Sequence, residues 1–466
     1  MWRRSVVGSI VCIGCLAACK ALVEAVASPP NRDASAIVLQ EVPDSIFAGD
    51  SAVVYAQVND KDGRPAWNDT VVVWQSSNTD VVWFDASRPP IPTPHGFAWL
   101  RAKSPGEVTV TAHTNKVTSS KTVKVMKVLG PNDIAVDDRR LGYALANQST
   151  VAGPYTPDVP FFFNSSGGGV TITRDSTGWY NVRFAGLGRK PGHRDNVQVT
   201  AYGSPPGTHC KLLSWVTEGT DMIVPVHCHL GGAAVDSRFT VLLSGARVYD
   251  LSTPFAFAER LPQTQNLALD TSATAFNSVS GHIAFGRTGV GSYNFGFPGF
   301  ESFSGPATFL ATSINQTADH CRIFNYVLNG GIVAACFASD GTQTDGRVTI
   351  MEFTRGRVGH RFGYASTQNL VSATPSIDPT LTFNSAGGTV SSRRLGVGQW
   401  TVTFAGLGRA SGATEIVIVS ALKETDHICS VVSWGNTGTA DLTVTLQCFD
   451  AAGTRVDARF DVLVIE

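Results

Sequence analysis

Nowhere does this 466-residue sequence run apolar for the length a membrane-spanning helix needs, and it shows neither heptads nor sustained helical periodicity. Charge of one sign is also missing. Lys and Arg number 36 against 37 Asp and Glu, giving a net charge of −1 without a basic run. That balance excludes nucleic acid as a partner, because such binding depends on neutralising phosphates. There is no His-Glu-x-x-His, no Gly-x-Ser-x-Gly, no phosphate-cradling glycine loop and no dinucleotide fingerprint. Glu259, Glu301, Glu352, Glu415 and Glu424 are isolated acids that do not recur at matched positions, so no carboxylate pair for glycoside hydrolysis stands out. The reading is therefore of a chain that is not an enzyme and uses no cofactor.

What is present is β sequence, repeated. Short alternating segments such as 108–112 (Val-Thr-Val-Thr-Ala) and 196–200 (Asn-Val-Gln-Val-Thr) recur between glycine and asparagine turns. The last two-thirds says one thing three times. Leu141-Gly-Tyr143 corresponds to Phe255-Ala-Phe257 and Phe362-Gly-Tyr364, and Asn164-Ser165 to Asn277-Ser278 and Asn384-Ser385. Phe184-Ala-Gly-Leu187 matches Phe297-Pro-Gly-Phe300 and Phe404-Ala-Gly-Leu407, and each unit closes on Asp236-Ser-Arg238, Asp345-Gly-Arg347 or Asp457-Ala-Arg459. A period of roughly 110 residues is too long for a solenoid and suits a string of domains. Similar units are scattered through secreted bacterial proteins of unassigned role, a resemblance that implies no activity.

Each unit carries one pair of cysteines around a turn: Cys210/Cys228, Cys321/Cys336 and Cys429/Cys448, centred on Gly219-Thr220, Asn329-Gly330 and Gly438-Thr439. Each pair is expected to face itself across a β-hairpin and form a disulfide, which requires an oxidising compartment. His209, His227 and His229 beside the first pair superficially read as a zinc cluster. A disulfide accounts for all three units and zinc for at most one, so no metal is expected.

Simple alternation along the third hairpin puts Cys429, Val431 and Ser433 on one face and Ser430, Val432 and Trp434 on the other, the latter opposite Gln447, Thr445 and Thr443. Trp434, and by the repeat alignment Trp215 and Tyr326, are thereby expected on outer faces. There they could stack on sugar rings or a partner, or be covered by a neighbouring strand, loop or domain. The Asp-x-Arg endings suggest ion pairs, within the motif or to neighbouring strands, with anion binding as the alternative.

At the N-terminus Arg3 and Arg4 precede an apolar stretch ending in Leu16-Ala17-Ala18-Cys19. This resembles the lipobox of bacterial lipoproteins. The resemblance implies cleavage before Cys19, diacylglyceryl and acyl groups on that cysteine, and a membrane tether held by more than one chain. The structural alternative is an ordinary secretory signal in which Cys12, Cys15 and Cys19 are all discarded. Nine cysteines less three in or at the end of the leader leave six for three pairs. In a diderm host, Lys20 after the cysteine favours the outer membrane.

Between leader and repeats, Val71-Val72-Val73-Trp74-Gln75-Ser76-Ser77-Asn78, then Val81, and later Gly106-Glu107-Val108-Thr109-Val110-Thr111-Ala112 resemble the bacterial immunoglobulin-like group 2 domain. The family implies a small sandwich centred on Trp74 and a role as spacer or adhesion module. The proline-rich insertion 88–95 departs from its pattern. Asp60-Lys-Asp62-Gly63 reads as a turn, since the other ligands of a calcium loop are missing.

The expected fold is thus all-β, four immunoglobulin-like or β-sandwich domains in series behind a signal peptide. The segments are 1–18 leader, 19–36 tether, 37–128 immunoglobulin-like domain, and repeats over 138–246, 250–353 and 358–466. The expected role is a non-catalytic surface lipoprotein, lipid-anchored in the bacterial envelope, for adhesion or structural contact with an envelope or extracellular protein or glycan. A carbohydrate-binding protein using Trp215, Tyr326 and Trp434 is the alternative, and a secreted hydrolase a distant third.

Overall fold

The computed structural model describes residues 33–48, 51–66, 71–85, 95–126, 138–246, 255–260, 274–279, 283–300, 305–317, 319–327, 331–354, 361–367, 377–411, 413–423, 426–438 and 440–466. The leader with Cys19, most of the insertion at 88–95, residues 129–132 and 355–358, Glu301 and Glu424 lie outside the described residues. The chain is all-β and divides into two compact units, before and after Lys127.

The first unit holds β1 (Ala36–Gln40), β2 (Ser45–Phe47), β3 (Ser51–Asn59), β4 (Val73–Ser76), β5 (Val82–Asp85), β6 (His95–Ala102), β7 (Gly106–His113) and β8 (Thr118–Met126). They form two four-stranded sheets, β1-β3-β6-β5 and β2-β8-β7-β4. The period-two alternation of β3 and β7 turns Val54, Val108 and Val110 inward with Val82, Leu100 and Val123. Trp74 is half-buried against Phe84, ring centroids 5.5 Å apart. Asp60 Oδ1 accepts from the amides of Asp62 and Arg64, so the acidic run is a hydrogen-bonded turn.

The second unit contains three copies of one eight-stranded pattern, to which the first copy adds one short extra strand. The first has β9 (Leu141–Ala146), β10 (Phe162–Asn164), β11 (Val170–Ser176), β12 (Trp179–Phe184), β13 (Asp195–Tyr202), β14 (His209–Leu212) continued by β15 (Val216–Glu218), β16 (Asp221–Leu230), the short β17 (Ala233–Ala234) and β18 (Arg238–Gly245). The second has β19 (Phe255–Arg260), β20 (Phe276–Asn277), β21 (Ala284–Gly289), β22 (Ser292–Gly296), β23 (Ala307–Ser313), β24 (His320–Val327), β25 (Gly331–Phe337) and β26 (Val348–Thr354). The third has β27 (Phe362–Ser366), β28 (Phe383–Asn384), β29 (Val390–Gly396), β30 (Gln399–Phe404), β31 (Ile416–Leu422), β32 (Ile428–Thr437), β33 (Asp441–Phe449) and β34 (Arg459–Ile465).

Each copy is a sandwich with its own core. One sheet is β10-β9-β18-β13 or its counterparts β20-β19-β26-β23 and β28-β27-β34-β31; the other is β11-β12-β16-β14 or its counterparts. The motifs that announce the repeat build these cores. Asn164, Asn277 and Asn384 each donate across the sandwich to a backbone carbonyl, of Ala185, Pro298 and Ala405. The serine after each asparagine accepts from the first strand, at Leu141, Phe255 and Phe362. Gly142 and Gly363 lie so close to Phe184/Leu187 and Phe404/Leu407 that an added Cβ would come within 2.8 and 2.9 Å of them.

The three sandwiches do not stand apart as beads. β13 runs parallel beside β32 at Tyr202 and Val431, and β31 beside β24 at Leu422 and Ile323. A parallel bridge from Leu212 to Ile314 joins β14 to the end of β23. First to third, third to second and second to first, the contacts close a ring, and two of its joints make continuous eight-stranded sheets.

The faces turned toward the middle of the ring change character along their strands. One row of cross-strand partners reads Thr200-Thr240-Leu145, Thr312-Thr349-Glu259 and Ser420-Asp461-Ser366. Two residues on, the row is Gln198-Leu242-Tyr143, Leu310-Met351-Phe257 and Ile418-Leu463-Tyr364. Phe255, Phe353, Phe362 and Ile465 complete an aromatic-rich core shared by all three repeats.

Candidate functional site at the junction of the repeats

The sulfurs of Cys210–Cys228, Cys321–Cys336 and Cys429–Cys448 are bonded at 2.04, 2.03 and 2.07 Å across their hairpins. These three disulfides place the folded body in an oxidising compartment. The first cysteine of each pair also lines a cavity of about 50 Å³ where the three repeats meet. Equivalent residues of all three surround it: Thr200, Thr312 and Ser420 contribute hydroxyls. Two of them stitch the strands together. Thr200 Oγ1 donates to the Val419 carbonyl at 3.0 Å, and Thr312 Oγ1 accepts from the Val199 amide at 3.2 Å. A space of that size has room for a few waters.

Histidines crowd one side. His229 and His227 share a ring-nitrogen contact of 2.9 Å, and Trp179 stacks on His227 at 3.6 Å. His209 lies 5.7 Å from both His229 and His320, and His320 donates Nε2–H to the Asp426 carbonyl at 2.9 Å. Burial penalises the imidazolium in each case and outweighs the rest. It holds His209 down to about 3 and His227, His229 and His320 down to about 4. These four histidines are therefore neutral at pH 7. Beside them lies Lys211, whose Nζ meets Asp319 Oδ1 at 2.9 Å and Asn315 Oδ1 at 2.6 Å across the joint between the first two repeats. Among the described residues no group of three or more His, Cys, Asp or Glu is arranged to hold a metal.

Trp215, Tyr326 and Trp434 do not sit on outer faces, which corrects the expectation from simple alternation. The pairing of β32 with β33 shifts by one residue between Val431 and Ser433, and that of β24 with β25 between Ile323 and Asn325. The first repeat makes the same shift between Leu212 and Val216. A one-residue bulge reverses every side chain beyond it, so each aromatic turns to the cysteine side. Trp215 is buried and donates Nε1–H to Asp195 Oδ1 at 2.6 Å. Trp434 lies edge-on to Phe161 and Tyr202, and Tyr326 stacks on Phe309 at 4.6 Å beneath the Lys423 ammonium.

The tryptophans come with an acid that the tyrosine lacks. Asp195 is clamped by Arg140 and Arg189 at 2.9 and 2.6 Å, and its counterpart Glu415 by Arg409 at 2.8 Å. The second repeat has Ala307 there.

The Asp-x-Arg motif pairs outward from itself. Asp236, Asp345 and Asp457 each take a two-pronged contact from Arg174, Arg287 and Arg394. Each also accepts from the amide of Gly178, Gly291 or Gly398, hairpin-tip residues with φ of +75°, +61° and +63°. Hydrogen bonding from the arginine holds Asp345 well below the usual carboxylate range. Sequence reasoning missed these arginines, although each stands ten residues after its repeat's asparagine. The other singled-out acids are dispersed: Glu259 pairs with Arg347, while Glu352 is buried in the second repeat and pushed up by desolvation to about 8.

No protein-family model and no curated protein matches this chain. Among solved structures it is similar to domains 4 and 5 of the S-layer protein SbsC at 18% identity and TM-score 0.19, over 21% of this chain and 54% of that one. It is similar to SbsC domains 4–9 at 10% identity and TM-score 0.20, over 91% and 83%. It is also similar to FdeC, an Escherichia coli adhesin, at 12% identity and TM-score 0.18, over 77% and 98%. The chain thus spans about half the length of the first of these structures, and we base no inference on likenesses of this size.

Proposed function

We propose that this chain is a non-catalytic lipoprotein of the bacterial cell surface, anchored through Cys19, that presents its β domains for adhesion or structural protein contact at the envelope. One observation carries the reading: the residues that recur in all three repeats are spent on construction. The asparagine–serine pairs brace the sandwiches, the Asp–Arg–Gly clamps tie down hairpin tips, and the cysteines are bonded. Recurring carboxylates neutralised by arginines are poor acids or bases for turnover. The inward aromatics leave the glycan reading without its stacking faces. The segment resembling an immunoglobulin-like group 2 domain serves in this proposal as a stalk.

The test is metabolic labelling with a fatty acid together with protease accessibility on intact cells, for the native chain and Cys19→Ala. The proposal expects label and surface exposure in the native chain, with label lost and protein released in the variant. Unlabelled native chain, or a body shielded from protease, overturns it.

A further inference from the structure

Where β14 of the first repeat meets the end of β23 of the second, an amine, a carboxamide and a carboxylate converge away from solvent. Lys211 is 1% exposed and Asp319 5%. Lys211 Nζ donates to Asn315 Oδ1 at 2.6 Å and to Asp319 Oδ1 at 2.9 Å. The second carboxylate oxygen, Asp319 Oδ2, accepts from Asn315 Nδ2 at 2.5 Å. One carboxylate therefore spans the amine and the carboxamide nitrogen. Thr317 Oγ1 donates to Asp319 Oδ1 at 2.9 Å, and the Asn315 backbone amide donates to the Leu212 carbonyl at 3.0 Å, which fixes the carboxamide beside the lysine.

The arrangement is not a by-product of the repeat. At the other two joints Lys211 is replaced by Arg322 and Ser430, Asn315 by Lys423 and Gly203, and Asp319 by His427 and Thr208. Burial lowers the Lys211 amine against the opposing charge of Asp319, which favours the free base that a nucleophile needs.

We propose that Lys211 and Asn315 form an intramolecular amide cross-link, with Asp319 as the catalytic acid and base. Lys211 Nζ first passes a proton to Asp319 Oδ1. The free amine then attacks Cγ of Asn315; the Nζ–Cγ bond forms and the carbonyl electron pair moves onto Oδ1. Asp319 protonates Nδ2 and takes the second proton from Nζ. The oxyanion collapses, the Cγ–Nδ2 bond breaks and ammonia leaves, departing as ammonium with the proton Asp319 holds. Lysine ammonium and asparagine carboxamide become a secondary amide and ammonium, Asp319 ends as the carboxylate it began, and no oxidant or co-reactant is needed. The bond ties the first repeat to the second across the Leu212–Ile314 bridge, so the ring would be closed covalently.

The test is tryptic mapping of the full chain after reduction and alkylation. Acylated Lys211 resists trypsin, so the expected product is a branched peptide joining 195–238 to 288–322. Its mass should lie about 17 Da, one ammonia, below the sum of its two parts. Separate unmodified 195–211 and 288–322 peptides from the native chain overturn the proposal, whatever the variants do. Lys211→Met and Asn315→Ala should each abolish the branched peptide. Asp319→Asn keeps the shape, and in chains that retain all three disulfides it should leave the two peptides unjoined. A branched peptide that survives in Asp319→Asn, or one that has lost water through a bond to Asp319, overturns the assigned chemistry.

Discussion

The two ends of the ring's middle make the instructive comparison. At one end tyrosine, phenylalanine and aliphatic side chains from all three repeats pack directly: Phe353 lies 5.1 Å from Phe362 and 5.9 Å from Tyr364. At the other, hydroxyls, histidines and a lysine surround a small cavity. Apolar burial rewards any close approach, whereas the hydroxyl-to-backbone bonds of Thr200 and Thr312 are satisfied in one register only. The apolar end therefore supplies most of the closing free energy, and the polar end fixes which strand meets which.

Breaking the apolar end should have the largest effect. Phe353→Ala removes a fully buried ring shared by two repeats and should cost about 3–5 kcal/mol. Denaturant unfolding of the three repeats should remain a single transition, because they share this core. Removing the bridge in the second repeat with Cys321→Ala and Cys336→Ala should cost about 2–4 kcal/mol without changing the order of the joints, measured the same way.

Asp461 sharpens the comparison from the polar end. It occupies the place of Thr240 and Thr349, and burial pushes its carboxyl up to about 7. A folded-state value above the ordinary one gives stability that is present below about 4 and lost as pH rises through about 7. Asp461→Thr should stabilise the protein at pH 8 by on the order of a few kcal/mol, with the gain narrowing toward pH 4 in a melting series.

The histidines run the other way. His209 and His320 are held below their ordinary 6.5, so their contribution is complete above about 6.5 and falls away as pH drops toward about 4 for His320 and about 3 for His209. Each contributes a slope of at most about 1.4 kcal/mol per pH unit. Replacing both by isoleucine, the residue at the matching position 428, should flatten acid unfolding between those limits. The smallest effect is expected from Arg394→Ala, which loosens one solvent-reached clamp and should barely move the melting temperature.

The β class, the repeat and the cysteine hairpins were legible because they rest on local pattern: alternation, turn residues and matched spacing. The facing of Trp215, Tyr326 and Trp434 was not, because one extra residue per strand reverses it and a bulge leaves no mark in an alternating sequence. Ring closure was equally hidden. The parallel joints depend on backbone groups at Tyr202, Leu422 and Ile314, whose side chains differ. The Lys211–Asn315–Asp319 convergence joins residues 104 and 108 positions apart and needs the ring to exist before it can be seen. Arg174, Arg287 and Arg394 were available from spacing alone, but an arginine in an edge strand resembles ordinary surface charge.

The central claim is that the three repeats close on one another, and small-angle scattering from residues 128–466 tests it most directly. A closed ring predicts a radius of gyration of about 20 Å, the value for one compact body of that length. A value of about 25 Å or more, expected of three separate domains of that size in a row, contradicts it.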